Sequence, residues 1–75
     1  MKTYYDVQQL LKRFGILIYM GNRLYDIEMS QVELKKVYEN GLISEQKYLQ
    51  AELVLRQEHR QELAYRNRKK ENLSE

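Results

Sequence analysis

Phe14-Gly15-Ile16-Leu17-Ile18-Tyr19-Met20-Gly21-Asn22-Arg23-Leu24-Tyr25-Asp26-Ile27-Glu28-Met29 is the stretch whose reading decides the fold. It is apolar, it holds two of the three glycines of the chain, and an arginine and a tyrosine stand near its end. Ile and Tyr favour extended structure, and the flanking glycines isolate the run. A strand needs a partner, however, and nothing else in the 75 residues reads as β. The run is therefore expected to be a buried apolar connector between two helices, with room for one helical turn.

On either side of it the sequence has helical periodicity. Proline is absent, so helices are interrupted only at Gly15, Gly21 and Gly41. The first helix is predicted from Tyr4 to Phe14. Thr3 and Asp6 fit a capping box, and Val7, Leu10, Leu11 and Phe14 recur on one face. Gly15 suits the left-handed residue that closes a helix, with Ile16 folded back on Leu11. The second helix is predicted from Leu24 to Asn40, capped by Asn22 or Asp26. Leu24, Ile27, Leu34 and Tyr38 share one face, whereas Tyr25, Met29 and Val32 form a second apolar side. Gly41 stops this helix and Leu42 returns to Val37. The third helix starts at an N-cap, Ser44, with Glu45 favoured at the positive helix end and Ile43 stapled to Tyr48. Tyr48, Ala51, Leu55 and His59 make its stripe, widened by Leu49, Leu53 and Val54. Glu52 with Arg56 and Glu62 with Arg66 are helix-supporting pairs. Beyond about Leu63 the apolar pattern fades. The expected architecture is an all-α three-helix bundle over residues 1–66, followed by a polar, frayed tail over 67–75.

Composition narrows the chemistry. There is no cysteine, which removes disulfides and thiolate metal sites, and a single histidine leaves no zinc ligand set. A domain this small must gain its stability from well-formed helix packing or from self-association. The longest apolar stretch, 16–21, is too short to span a bilayer. Lys2 is followed by Asp6, Gln8 and Gln9 without a signal-peptide core, so a cytoplasmic protein is expected. No phosphate-binding Gly-rich loop and no cysteine nucleophile are present, and a serine–histidine arrangement would have to use the cap residue Ser44 or the distant Ser30 or Ser74. His59 reads as a half-covered rim residue, and Asp26 and Glu28 as acids at the start of a helix. A non-enzymatic protein with no cofactor, no metal and no small-molecule substrate is expected.

The net charge of +2 is modest, but its distribution is uneven. Lys12, Arg13, Tyr19, Arg23 and Tyr25 gather around the connector, and Arg60, Arg66, Arg68, Lys69 and Lys70 make the last third basic. Seven tyrosines are many for 75 residues. Exposed aromatic platforms beside a basic groove are how single-stranded nucleic acid is held. On this reading Lys12, Arg13, Arg23, Arg60 and Arg66 contact phosphates, and Tyr19 and Tyr25 stack on bases. Arg23 has two competing readings: a phosphate ligand at a helix N-terminus, or a structural partner of Asp26 or of the first helix's carboxyl end. The alternative function is a protein-interaction or self-associating module that uses Tyr25, Met29 and Val32.

One resemblance is also present. Tyr5-Asp6-Val7-Gln8-Gln9-Leu10-Leu11-Lys12, Phe14-Gly15, Ile18-Tyr19, Gly21-Asn22-Arg23 and Asp26-Ile27-Glu28-Met29 resemble the YqgQ-like family of small bacterial cytosolic proteins. The likeness continues through Glu33-Leu34, Tyr38-Glu39, Gly41-Leu42-Ile43 and Tyr48, to about Arg60. It implies a compact three-helix bundle and a proposed role in binding single-stranded DNA or RNA. It supplies no catalytic residue and no cofactor, and it does not extend to the basic segment after Arg60.

Overall fold

The computed structural model describes residues 1–73, with side chains through Lys69. It is a bundle of three helices: α1 (Tyr4–Lys12), α2 (Arg23–Glu39) and α3 (Glu45–Leu73). The three-helix reading is correct. α2 packs mainly on α3, and α1 lies against both. A 29-residue helix is roughly 43 Å long, and α3 accordingly sets the long dimension of a molecule measuring 49 × 22 × 18 Å.

Each helix end follows from local chemistry. Asp6 N–H donates to Thr3 Oγ1 at 3.2 Å, and the Asp6 carboxylate accepts from the Thr3 N–H at 3.1 Å and the Lys2 N–H at 3.0 Å. That capping box satisfies donors that the first turn of α1 cannot pair internally. At the other end Gly15, with φ +76°, donates to Lys12 O, and Ile16 donates to Leu11 O at 3.1 Å. α2 closes in the same way at Gly41, with Leu42 N–H on Val37 O at 3.1 Å. Both are Schellman closures, which satisfy otherwise orphaned carbonyls. α1 ends at Lys12, two residues before the expected Phe14, because this closure begins at Arg13. Asn22, and not Asp26, caps α2 by accepting from Tyr25 N–H at 3.1 Å. Ser44 Oγ accepts from Lys47 N–H at the start of α3.

The core is Tyr4, Val7, Leu10 and Leu11 from α1, Ile27, Leu34 and Val37 from α2, and Ala51, Val54 and Leu55 from α3. Phe14, Ile16, Ile18, Ile43 and Tyr48 cover its margins. Tyr38 and Tyr48 stack with ring centroids 4.4 Å apart and planes 8° from parallel, tying α2 to the first turn of α3. Burial, and then the nearby Glu52 carboxylate, push the Tyr48 phenol above its ordinary pKa. Leu49 and Leu53, expected to widen the buried stripe of α3, are exposed.

One sequence expectation is corrected here. The connector is only half buried. Residues 16–20 form neither helix nor turn, and Ile16 and Ile18 pack inward while Leu17, Tyr19 and Met20 are exposed. Alternation of this kind belongs to extended chain, whose side chains point to opposite sides in turn. At the C-terminus α3 runs to Leu73, into the segment read from the sequence as a polar tail. The side chains of residues 70–73 and all of residues 74–75 lie outside the described residues.

The two backbone N–H groups on Asp6 hold its carboxyl below the usual carboxylate pKa. A depressed folded-state pKa contributes stability that is complete above the unfolded value and is lost as pH falls through the folded one. Urea unfolding followed by circular dichroism at pH values from neutral to below 4 checks this. The wild-type chain is expected to lose stability in the acid range more steeply than Asp6→Ala, with the two converging at the lowest pH.

Candidate nucleic-acid interface

The extended connector is held by hydrogen bonds at its two ends. Ile16 N–H reaches Leu11 O, and Met20 N–H donates to Asp26 Oδ1 at 2.9 Å. Asp26 is 6% exposed, in the first turns of α2. Its own carbonyl accepts from the buried Ser30 hydroxyl at 2.8 Å. The side chain that the sequence offered as a helix cap or an arginine partner is thus the anchor of the connector. With both ends fixed and Ile16 and Ile18 turned inward, Leu17 and Tyr19 can only face water. Tyr19 is 85% exposed and Leu17 77%, beside Met20 at 68%.

The connector is a ridge between two hollows. Gln8, Gln9 and Lys12 of α1 line one together with Leu17 and Tyr19. Tyr25, Met29 and Glu33 of α2 line the other with Leu17 and Met20. Lys12 and Tyr19 therefore share a surface, and Tyr25, 45% exposed, flanks the ridge on its far side. Lys12 has no acidic partner among the described residues.

The other expected contacts are dispersed. Arg13 lines a separate hollow with Met1, Asp6, Lys47 and Gln50. Arg60 is exposed on α3. Arg23 does not meet Asp26: its guanidinium donates to Glu58 Oε2 at 2.9 Å and lies 4.5 Å from the centroid of the Tyr4 ring. Beneath it the Tyr4 hydroxyl is buried without a hydrogen-bond partner. Arg66 donates to Asn22 Oδ1 at 2.9 Å and lies 3.6 Å from Glu62. His59 Nε2 lies 2.9 Å from Glu28 Oε2. Three links thus tie the N-terminal half of α2 and its cap to α3, and they occupy two of the seven residues offered as ligands. Glu58, 35 residues from Arg23, carries no local signal of this role. Leu17, Met20, Gln8 and Gln9 also belong to the surface and were not singled out in the sequence.

A family model described as YqgQ-like matches residues 1–61. This chain belongs to the YqgQ-like family. It is also similar to the uncharacterized protein YqgQ of Bacillus subtilis (strain 168), with 48% identity over 58 residues, covering 77% of this chain and 82% of that protein. The matched residues contain α1, the connector, α2 and the first half of α3, so the ridge, both hollows and the Arg23–Glu58 pair all lie within the family region. No described helix is long and apolar enough to cross a membrane.

Removing the Asp26 carboxylate leaves the Met20 N–H without its acceptor in a partly buried position. Asp26→Ala is expected to lower the unfolding free energy by about 1–3 kcal/mol, read from urea denaturation, with faster amide exchange at Met20. The Arg23–Glu58 pair is more exposed. A double-mutant cycle over Arg23→Ala and Glu58→Ala is expected to give a coupling of only about 0.2–1 kcal/mol.

Proposed function

We propose that this protein binds single-stranded nucleic acid on the ridge between α1 and α2, in the cytosol and without catalysis. The observation that carries the reading is the outward ring of Tyr19 beside the unpaired Lys12. A base stacks on an aromatic face whatever its identity, and a neighbouring ammonium compensates the phosphate that follows it. Leu17 supports the base from the side, and Gln8 and Gln9 offer amide donors and acceptors in the same hollow. Tyr25 lines the hollow on the far side of the ridge, and in this reading it takes a second base there.

Arg23 and Arg66 have a different part in this reading. Their guanidinium groups are engaged by Glu58, and by Asn22 and Glu62, and hold α2 against α3. Arg13 and Arg60 add long-range attraction that steers a polyanion toward the molecule without contacting the stacked bases. The expected binding is sequence-tolerant and short in footprint.

Fluorescence anisotropy with a labelled mixed-sequence single strand tests this. Binding is expected at low salt and to weaken steeply as salt rises. Tyr19→Ala is expected to cost about 1–3 kcal/mol of affinity while the circular dichroism spectrum stays unchanged. Lys12→Ala is expected to flatten the salt slope. A chain that binds neither DNA nor RNA single strands at low salt would rule the reading out.

A further inference from the structure

The geometry points to a second copy of this chain as an occupant of the same ridge, packed on it face to face about a two-fold axis parallel to the connector. Residues 14–22 carry no charged side chain. Above the surface this ridge raises Leu17, Tyr19 and Met20, with Tyr25 on its flank. Exposed large apolar side chains gathered in this way mark an interaction surface.

The flanks of the ridge identify the partner. Lys12 stands in the hollow on the α1 side and Glu33 in the hollow on the α2 side. A two-fold axis along the ridge maps the α1 flank of one copy onto the α2 flank of the other. Lys12 of each copy then faces the partner's Glu33, at two symmetric positions, while Leu17 meets the partner's Leu17 and Tyr19 the partner's Tyr19. An apolar spine between opposite charges is self-complementary under this one operation, as an isologous interface requires. Lys12 has no acidic partner among the described residues, and Glu33 has only the exposed Lys36, 3.5 Å away and three residues on. Both are thus available. A polyanion would match Lys12 and be repelled by Glu33, whereas a second copy satisfies both. A chain of 75 residues with no cysteine is also the kind of small domain that gains stability by burying an apolar surface against itself.

Tyr19 lies at the centre of this contact, so a bound single strand and a second copy exclude one another. The inference stands whether or not nucleic acid binds, because its test needs none. Sedimentation of the full chain, free of nucleic acid, is expected to show a monomer–dimer equilibrium below about 1 mM. Tyr19→Ser is expected to abolish the dimer with an unchanged circular dichroism spectrum. Lys12→Glu alone and Glu33→Lys alone each set like charges across the contact and are expected to weaken it by about tenfold. Mixing those two variants restores opposite charges at both positions, and the mixture is expected to recover wild-type association as a heterodimer. A chain that stays monomeric throughout the concentration range overturns the proposal. A dimer that forms but is not restored in the mixture overturns the two-fold arrangement.

Discussion

The hydrogen bond from Met20 N–H to the buried Asp26 carboxylate is the constraint on which the exposed half of this molecule depends. A five-residue apolar segment released into water would collapse onto the bundle in many ways. Here one end is set by the closure of α1, where Ile16 N–H is used, and the other by Asp26. Between two fixed points the period of extended chain decides the rest: even positions 16 and 18 complete the core, and odd positions 17 and 19 cannot. The outward tyrosine is therefore a consequence of anchoring and alternation together. The same carboxylate sits near the positive end of α2, where a negative charge is favoured. This reconciles an acid in a position that is almost closed to water.

The bundle beneath is held by a different logic. α2 and α3 carry most of the packing, and α1 completes it through Tyr4, Val7, Leu10 and Leu11. Around the apolar seam, Arg23 with Glu58, Glu28 with His59, and Asn22 with Arg66 join the start of α2 to the middle of α3 and the turns beyond it. These exposed links are individually weak. Their common location matters more, since it is the end of the bundle that α1 and the connector also need. Arg23 reaches both elements, pairing with α3 through Glu58 and lying over the Tyr4 ring of α1.

Whatever rests on neighbours in sequence was legible in advance. The capping box at Thr3 and Asp6, the two closures at Gly15 and Gly41, and the Ser44 cap are all settled within three to five residues, so residue types and spacing suffice. The helical stripes were legible in their centres and not at their edges. Tyr4 is buried and extends the line of Val7 and Leu11 by one turn, whereas Leu49 and Leu53 are exposed because α3 has only two helices to cover it. The connector was legible as non-helical but not in its burial, because an apolar run looks the same whether one face or both are covered. Which face is covered depends on Asp26, and a carboxylate at a helix start is ordinarily explained by the helix dipole alone. The candidate site divides along the same line. Lys12, Tyr19 and Tyr25 lie within one turn of the connector and end up around it. Arg23 is committed to Glu58 and Arg66 to Asn22, partners that no local pattern could supply, while the pairing of Arg66 with Glu62 is the local one expected.

The ion pairs among the described residues gather on α2 and α3, away from the last turn of α1. The acids at Glu33, Glu52, Glu58 and Glu62 hold Lys36, Arg56, Arg23 and Arg66, respectively. These pairs neutralise part of the charge along and between α2 and α3. The last turn of α1 is outside this pattern, since neither Lys12 nor Arg13 is in an ion pair among the described residues and their charge offsets the carboxyl end of the helix. The positive potential at the connector is accordingly local and one-sided, with Glu33 opposing it across the ridge. A surface polarised in this way discriminates by orientation. In the proposed nucleic-acid complex a phosphate takes the α1 flank alone, and in the proposed dimer the second copy is inverted across the ridge. Loss of the Lys12 charge therefore acts on both kinds of partner, whereas reversal of Glu33 separates them, favouring the polyanion and opposing the copy.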